Sequence, residues 1–264
     1  MLLAHITDLH VGMPGSRIFH EFQSHRGLEE AVVHIQKIEP TPDVVVATGD
    51  LVDRGHPVEY ELLRQVLSPL SQPVYVIPGN HDSREHLRAA FADDGYLPKE
   101  GFLHYAIDLG GVRLIALDTV VSGKPHGKLC HERLRWLDET LSGQPEVPTL
   151  IAMHHPPFVT GLRGSDLMGL SGRHEFEEIL KDHRQVEHVI AGHVHRPITR
   201  RLAGCVASTL PSTTTQLVLD LTGNPGIAIR AEPPCVGLHF INENVEWVSH
   251  LSFIGDYGEA IVVA

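Results

Sequence analysis

The sequence predicts an α/β layered fold, and two features carry that expectation. Short runs of β-branched and aliphatic residues recur along the chain, and apolar stripes at helical spacing lie between them. The runs are Leu2–Ile6, Val44–Ala47, Val74–Ile77, Leu150–Met153 and His188–Ala191. Each is close to continuously apolar, the pattern of a strand buried on both faces. Helical spacing joins Leu28, Ala31, Ile35 and Ile38. It also joins Tyr60, Leu63 and Leu67, with Pro57 in the first turn. Leu134, Leu137 and Leu141 form a third stripe, and Phe176, Ile179 and Leu180 a shorter one. Residues 103–109 and 112–117 flank Gly110-Gly111, a hairpin signal. The glycine-rich stretch 161–172 predicts a flexible loop. From about Arg196 strand-like runs dominate: 199–203, 206–210, 216–221, 227–231, 236–241 and 245–253. They predict a mainly antiparallel sheet ending in a hairpin about Asn242-Glu243-Asn244.

Composition narrows the function classes. A chain of 264 residues suits one large domain, or one domain with a small appendage. Lys and Arg total 21 against 33 Asp and Glu, a formal net charge of -12. Such an acidic chain lacks the electrostatic footprint of a protein that binds nucleic-acid polymers. No apolar run approaches the roughly 18 residues that a membrane span needs, so no membrane partner is expected. The N-terminus has no basic residue before its apolar run and soon reaches His5, Asp8 and His10, unlike a secretory leader. Three widely spaced cysteines, Cys130, Cys205 and Cys235, do not form a disulfide framework. Together these features predict a cytoplasmic protein. Its 20 histidines invite a metal or proton-transfer hypothesis.

A polar cluster follows each of the five apolar runs. In order they are Asp8-Leu9-His10, Gly49-Asp50, Gly79-Asn80-His81-Asp82, His154-His155-Pro156-Pro157 and Gly192-His193-Val194-His195. Any one could be an ordinary turn or a polar strand end. All five at the C-terminal ends of strands is another matter, because ligands of open α/β sheets bind outside those ends. Asp8, His10, Asp50 and His195 offer carboxylate oxygen and imidazole nitrogen to one ion. Asp50, Asn80, His154 and His193 do so for a second, and a shared carboxylate is the usual bridge of two-metal hydrolases. With no cysteine in the clusters, mixed nitrogen and oxygen donors point to two transition-metal ions among Fe, Mn, Zn and Co.

This ordered set of motifs resembles the calcineurin-like metallophosphoesterase superfamily. Within it, residues 1–8, 49–60, 75–82 and 153–157 are most similar to bacterial class III cyclic-nucleotide phosphodiesterases and the related glycerophosphodiesterases. The resemblance covers roughly residues 1–215 and is weak over the 158–185 loop and after residue 216. It implies a four-layer α/β/β/α sandwich with a C-terminal β-hairpin extension. It also implies a dinuclear centre on the seven ligands just named, and hydrolysis of a small phosphodiester by a metal-bridged hydroxide. Two divalent ions, two carboxylates and one hydroxide leave a formal charge of about +1, suited to a singly charged diester. His81 is then a catalytic group facing the substrate phosphate rather than a ligand, and His155 a supporting residue.

Two departures matter. Residues 49–55 resemble the Gly-Asp-x-x-Asp-Arg-Gly run of Ser/Thr protein phosphatases, but those carry Glu where this chain has Asp82. Asp53 and Arg54 are therefore read as local structure, with a phosphomonoesterase or protein phosphatase as the alternative activity and a non-catalytic scaffold as a remote one. The second departure is Thr215, which stands where some glycerophosphodiesterase relatives place a histidine. Arg84, Arg163 and Arg196 lie near the motif loops, within possible reach of substrate. The expected organisation is a dimetal domain over 1–220, with residues 221–264 completing the sheet and forming a cap or the interface of a homodimer or larger homo-oligomer.

Overall fold

The computed structural model describes residues 1–264 except 17–19, 243, 245, 260, 262 and 264. The predicted strands divide between two sheets. The first holds β1 (Leu2–Ile6), β2 (Val44–Ala47) and β3 (Val74–Val76) in parallel. The second is built on β5 (Arg113–Leu117), β7 (Thr149–Met153) and β9 (Val186–Ala191), also parallel. Its edge strand β4 (Tyr105–Asp108) pairs antiparallel with β5 through the expected Gly110-Gly111 hairpin. The near-continuous hydrophobicity of β1, β2, β5 and β7 follows from burial of every residue, with helices on one face and the other sheet on the opposite face.

Three apolar layers record the stacking. Leu3, Val46, Ile77, Leu114, Leu150 and Ile190 meet between the sheets. Outside the first sheet, Ala4, Ile6 and Val45 pack on α1 (Ser24–Gln36) through Leu28, Ala31 and Ile35, and on α2 (Pro57–Leu67) through Tyr60 and Leu63. The layer also takes Leu87 of α3 (Arg84–Ala90), a seven-residue helix too short to leave a clear stripe in the sequence. Outside the second sheet, Ile151 and Val189 pack on α4 (His131–Ser142) and on a later helix, Arg173–Asp182. The order is therefore α/β/β/α, the four layers expected.

The glycine-rich 161–172 stretch is ordered, contrary to expectation. It holds α5 (Arg163–Asp166), which precedes α6 (Arg173–Asp182), and the strand β8 (Leu170–Ser171). The Asp166 carboxylate accepts the backbone N–H groups of Thr160 and Gly161, which closes the turn. β8 pairs with β6 (Gly127–Lys128).

The region after Arg196 also differs from a simple antiparallel sheet. β10 (Ile198–Leu202) and β11 (Cys205–Thr209) form a hairpin, but β11 joins the second sheet parallel to β9. The runs predicted at 216–221 and 227–231 shrink to β12 (Gln216–Leu217) and β13 (Ile229–Arg230). β14 (Cys235–Ile241) pairs antiparallel with β1, and β15 (Trp247–Phe253) pairs with β14, leaving β15 at the edge of the first sheet. Glu243 and Val245 of the predicted hairpin lie outside the described residues. No helix among the described residues is long and apolar enough to cross a membrane.

Candidate metal centre

The first two motif loops are locked to each other before any side chain is considered. Parallel pairing runs on past the ends of β1 and β2, with Asp8 N donating to Gly49 O at 3.0 Å and His10 N to Asp50 O at 2.9 Å. To aim their side chains from these turns, Asp8, His10, Asp50, His193 and His195 all take positive φ, between 45° and 72°. Among the described residues only Gln23 and Ala203 share that conformation without being glycine. Strain concentrated in this way marks a functional site, because surrounding structure must hold it. The motif glycines let the loops close. A Cβ on Gly79 would strike the backbone N of Asp50, and one on Gly192 would strike the Thr7 hydroxyl.

All seven predicted ligands converge. His195 Nε2 lies 3.3 Å from Asp8 Oδ1 and 3.2 Å from His10 Nε2. His154 Nε2 lies 3.3 Å from Asp50 Oδ2 and 3.2 Å from Asn80 Oδ1. Asp50 Oδ2 stands between the two sets, since it is also 3.8 Å from His10 Nε2. His193 groups with His154, and its buried Nε2 has no hydrogen-bond partner. Backbone carbonyls set two of the tautomers. His154 Nδ1 donates to Thr48 O and His195 Nδ1 to Thr215 O, both at 2.8 Å, which leaves each Nε2 free. His155 lies equally close, but its Nδ1 meets Thr119 Oγ1 and its Nε2 meets Pro125 O, so both nitrogens are engaged.

The electrostatics suit cations. Burial pushes the Asp8 carboxyl up, yet the charge and hydrogen bond of His195 overcome this and hold it at about 2. Burial likewise opposes ionisation of Asp50, and His154 overrides it, keeping the group well below the usual carboxylate range. Burial holds His10 at about 3 and His193 at about 4, so both are neutral donors near pH 7. His154 and His195 are the exceptions: burial lowers both, but Asp50 lifts His154 to about 9 and Asp8 raises His195, so a cation binding at either imidazole competes with a proton. Two ionised carboxylates, an amide oxygen and four imidazoles, with His10 Nδ1 and His193 Nε2 buried and unpartnered among the described residues, form a donor set that fits a pair of borderline divalent ions.

His81 sits at the rim with its side chain 39% exposed. Its Nδ1 donates to Asp53 O at 2.7 Å and its backbone N to Asp50 Oδ1 at 2.9 Å, while its ring stands edge-on to His10. Burial lowers its pKa, but the Asp50 charge and the Asp53 carbonyl more than compensate. Asp53 thus belongs to the site, since its carbonyl orients His81. Arg54 points outward, 68% exposed.

Several supporting residues carry no motif of their own. Buried Asp82 accepts from Leu51 N, Gly79 N and Tyr60 Oη, tying the β2 and β3 loops together. Asp118-Thr119, at the C-terminal end of β5, is a sixth strand-end cluster; its signal was the Asp-Thr that follows Ile115–Leu117. Asp118 receives two bonds from Arg84, which fastens a loop of the first sheet to one of the second. Arg84 is therefore a brace rather than a substrate contact. Arg163 and Arg196 are also engaged, the first on Gly223 O and the second on Leu217 O and Glu232.

Comparison with known proteins defines the class. Residues 1–197 match the family model of the calcineurin-like phosphoesterases, and the chain belongs to that family. It is 33% identical over 258 residues to the "Probable glycerophosphodiester phosphodiesterase GpdQ" of Arcobacter nitrofigilis, covering 97% of this chain and 94% of that one. It is 30% identical to the 3',5'-cyclic adenosine monophosphate phosphodiesterase CpdA of Haemophilus influenzae, over 83% of this chain and 78% of that one. A dimetal phosphatase from Danio rerio shares the fold, with a TM-score of 0.67 at 16% identity over 96% of this chain and 99% of the other.

Proposed function

We propose that this chain is a metal-dependent phosphodiesterase acting on small phosphodiesters of the cyclic-nucleotide or glycerophosphodiester class. The observation that carries the reading is the convergence of two buried carboxylates, one amide and four imidazoles at the strand ends of a chain in this family. We assign Asp8, His10, Asp50 and His195 to one divalent ion, and Asp50, Asn80, His154 and His193 to the other. Fe, Mn, Zn and Co all suit these donors. Bound ions of this kind supply Lewis acidity and bring the pKa of a water toward neutrality.

The chain's own residues do the rest. Asp8 and Asp50 stay ionised and set the charge of the site, and burial keeps His10 and His193 unprotonated. His81, oriented by the Asp53 carbonyl, presents Nε2 as a proton donor to a phosphoryl or leaving oxygen, and its raised pKa favours that role. The names of the Arcobacter and Haemophilus relatives support a diester substrate. The phosphomonoesterase alternative rests on Arg54, whose exposed guanidinium beside the site could meet the second charge of a monoester. Comparing bis(p-nitrophenyl) phosphate with p-nitrophenyl phosphate at neutral pH with Mn²⁺ separates the two. A higher kcat/KM is expected for the diester. A higher value for the monoester across several metals would overturn the reading.

We also infer a homodimer or larger homo-oligomer, with residues 1–220 as the dimetal domain and 221–264 as the interface-bearing extension. The support is the open edge at β15, which has no Lys, Arg, Asp or Glu, and the exposed apolar side chains Phe240, Val248, Leu251 and Phe253. Light scattering at micromolar concentration tests this. Cys130, Cys205 and Cys235 are all free thiols, which supports a reducing, cytoplasmic location.

A further inference from the structure

We propose that Gln216 is a positioning residue for the metal set built on Asp8, His10 and His195; this rests on the ligand assignment above. Two of those ligands lean on one short segment, residues 212–216. Ser212 Oγ donates to the carbonyl of Asp8 at 2.7 Å, and Thr215 O accepts from His195 Nδ1 at 2.8 Å. Asp8 and His195 both hold positive φ, so each depends on outside contacts to stay in place.

The segment has no regular structure of its own until β12 begins at Gln216. Gln216 closes it. The buried carboxamide accepts from Ser212 N through Oε1 at 2.8 Å and donates from Nε2 to Ser212 O at 2.9 Å. One side chain thus satisfies both backbone groups of Ser212, as a neighbouring strand would, where a fully buried residue would otherwise leave them unpaired. Ser212 Oγ is fixed further by Thr214 N at 3.1 Å. The chain of support runs from the Gln216 amide to Ser212 and then to the Asp8 backbone. From the same residue it runs through the adjoining Thr215 carbonyl to the His195 ring.

Among the described residues the other metal set makes no hydrogen bond to this segment, and its link to it is indirect, through the His193 N–H that donates to the Asp8 carboxylate. His154 is held by Thr48 O, and Asn80 lies on the β3 loop. Loss of Gln216 therefore acts first on one ion and reaches the other only through Asp8. Removal of a group that orients a ligand typically lowers metal affinity about 10–100-fold.

The test is equilibrium titration of the metal-free full chain with Co²⁺, followed by absorption and calorimetry. The wild type is expected to show two binding constants. In Gln216→Ala one constant should weaken about 10–100-fold while the other weakens clearly less. Ser212→Ala, a smaller change, should weaken the same constant. Adding His195→Ala to Gln216→Ala should weaken that constant by less than His195→Ala does in the wild type, because the two act on one ligand. Unchanged constants in both Gln216→Ala and Ser212→Ala would overturn the inference. So would equal weakening of both constants together with a lowered Tm in both variants, since that describes general destabilisation. A wild type that binds fewer than two ions would overturn the dimetal reading itself, and is seen before any variant is made.

Discussion

Seven of the buried or nearly buried histidines form two groups that differ in company rather than in burial. His10, His154, His193 and His195 surround Asp8 and Asp50 at the strand ends. His5, His188 and His239 lie between the two sheets, on β1, β9 and β14, with ring centroids 5.3 Å apart for His188 and His239 and 5.7 Å for His5 and His239. Each of these three has one nitrogen on a hydroxyl at 2.8 Å: Thr48 for His5, Ser208 for His188 and Ser249 for His239. None is ion-paired with a carboxylate, and their ligand atoms do not converge as those of the site do. Burial drives His5 to about 3 and His188 to about 4, and pushes His239 down too. At the metal centre Asp50 instead lifts His154 to about 9. A buried imidazole becomes a candidate ligand when it joins a cluster built on carboxylates, and remains a packing residue when its company is a hydroxyl and other rings.

The largest effect expected from this contrast is at Asp50, whose Oδ2 lies within reach of both ligand sets. Asp50→Ala should abolish phosphodiesterase activity more completely than any other single ligand change, whereas His239→Ala should leave turnover of the folded protein nearly intact. Two tightly held metals and normal turnover in Asp50→Ala would remove it as the shared carboxylate.

His81 comes next, because it adjoins a ligand without being grouped among the seven. His81→Ala should retain both metals and lose about 10²–10⁴-fold in turnover, the usual contribution of a placed acid–base group. Metal loss in that variant would make His81 a ligand, a prospect that its grouping with His10 and Asp53 makes worth testing.

Asp50 and His81 were both legible in the sequence as members of strand-end clusters, for a physical reason. A strand buried on both faces must end abruptly before its polar residues, so apolar run followed by Asp, Asn or His marks the strand end directly. The division of the strands between two sheets was not legible in that way. An apolar run reads the same whether its partner is β1 or β5, and only the family resemblance implied four layers. Asp118 and Gln216 were missed because their side chains work on backbone groups, which leave no mark in the residue types: Leu103 and Val120 for one, Ser212 for the other. His5, His188 and His239 raised no signal because isolated histidines within strands carry no spacing. Asp53 was discounted as local structure, since its contact with His81 is made by a carbonyl, which no side-chain motif records.

A smaller effect separates the two metal sites. In the proposed assignment the set with Asp8 and Asp50 would bring two carboxylates to its ion, and the set with Asn80 only the shared Asp50 and a neutral amide. The second ion should therefore be the more easily removed, and dialysis against a weak chelator should lose activity as the first equivalent of metal leaves. Simultaneous loss of both equivalents would count against unequal sites.

The smallest effect concerns stability at mildly acid pH and belongs to the inter-sheet histidines. Each titrates near 6.5 when unfolded. In the folded protein burial lowers all three, His188 adds to the lowering of His5 and His239, and Asp8 partly opposes it at His5. The folded state then binds fewer protons than the unfolded one below pH 6.5. Their contribution is complete above that value and is lost as pH falls toward the folded values, about 3 for His5 and about 4 for His188, with His239 also well below its ordinary value. Each such histidine costs up to about 1.4 kcal/mol per pH unit in this window. The neutral amide in His188→Gln keeps a polar group beside Ser208 and cannot take up the proton. Urea unfolding at pH 7.5 and 5.5, with metal removed from both proteins, should show a smaller fall for His188→Gln, by about 1.4 kcal/mol over the two pH units. The metal-site histidines titrate alike in both proteins and cancel. Parallel pH dependence in the two would show that His188 keeps its proton when folded, and would end the distinction between the inter-sheet and strand-end groups.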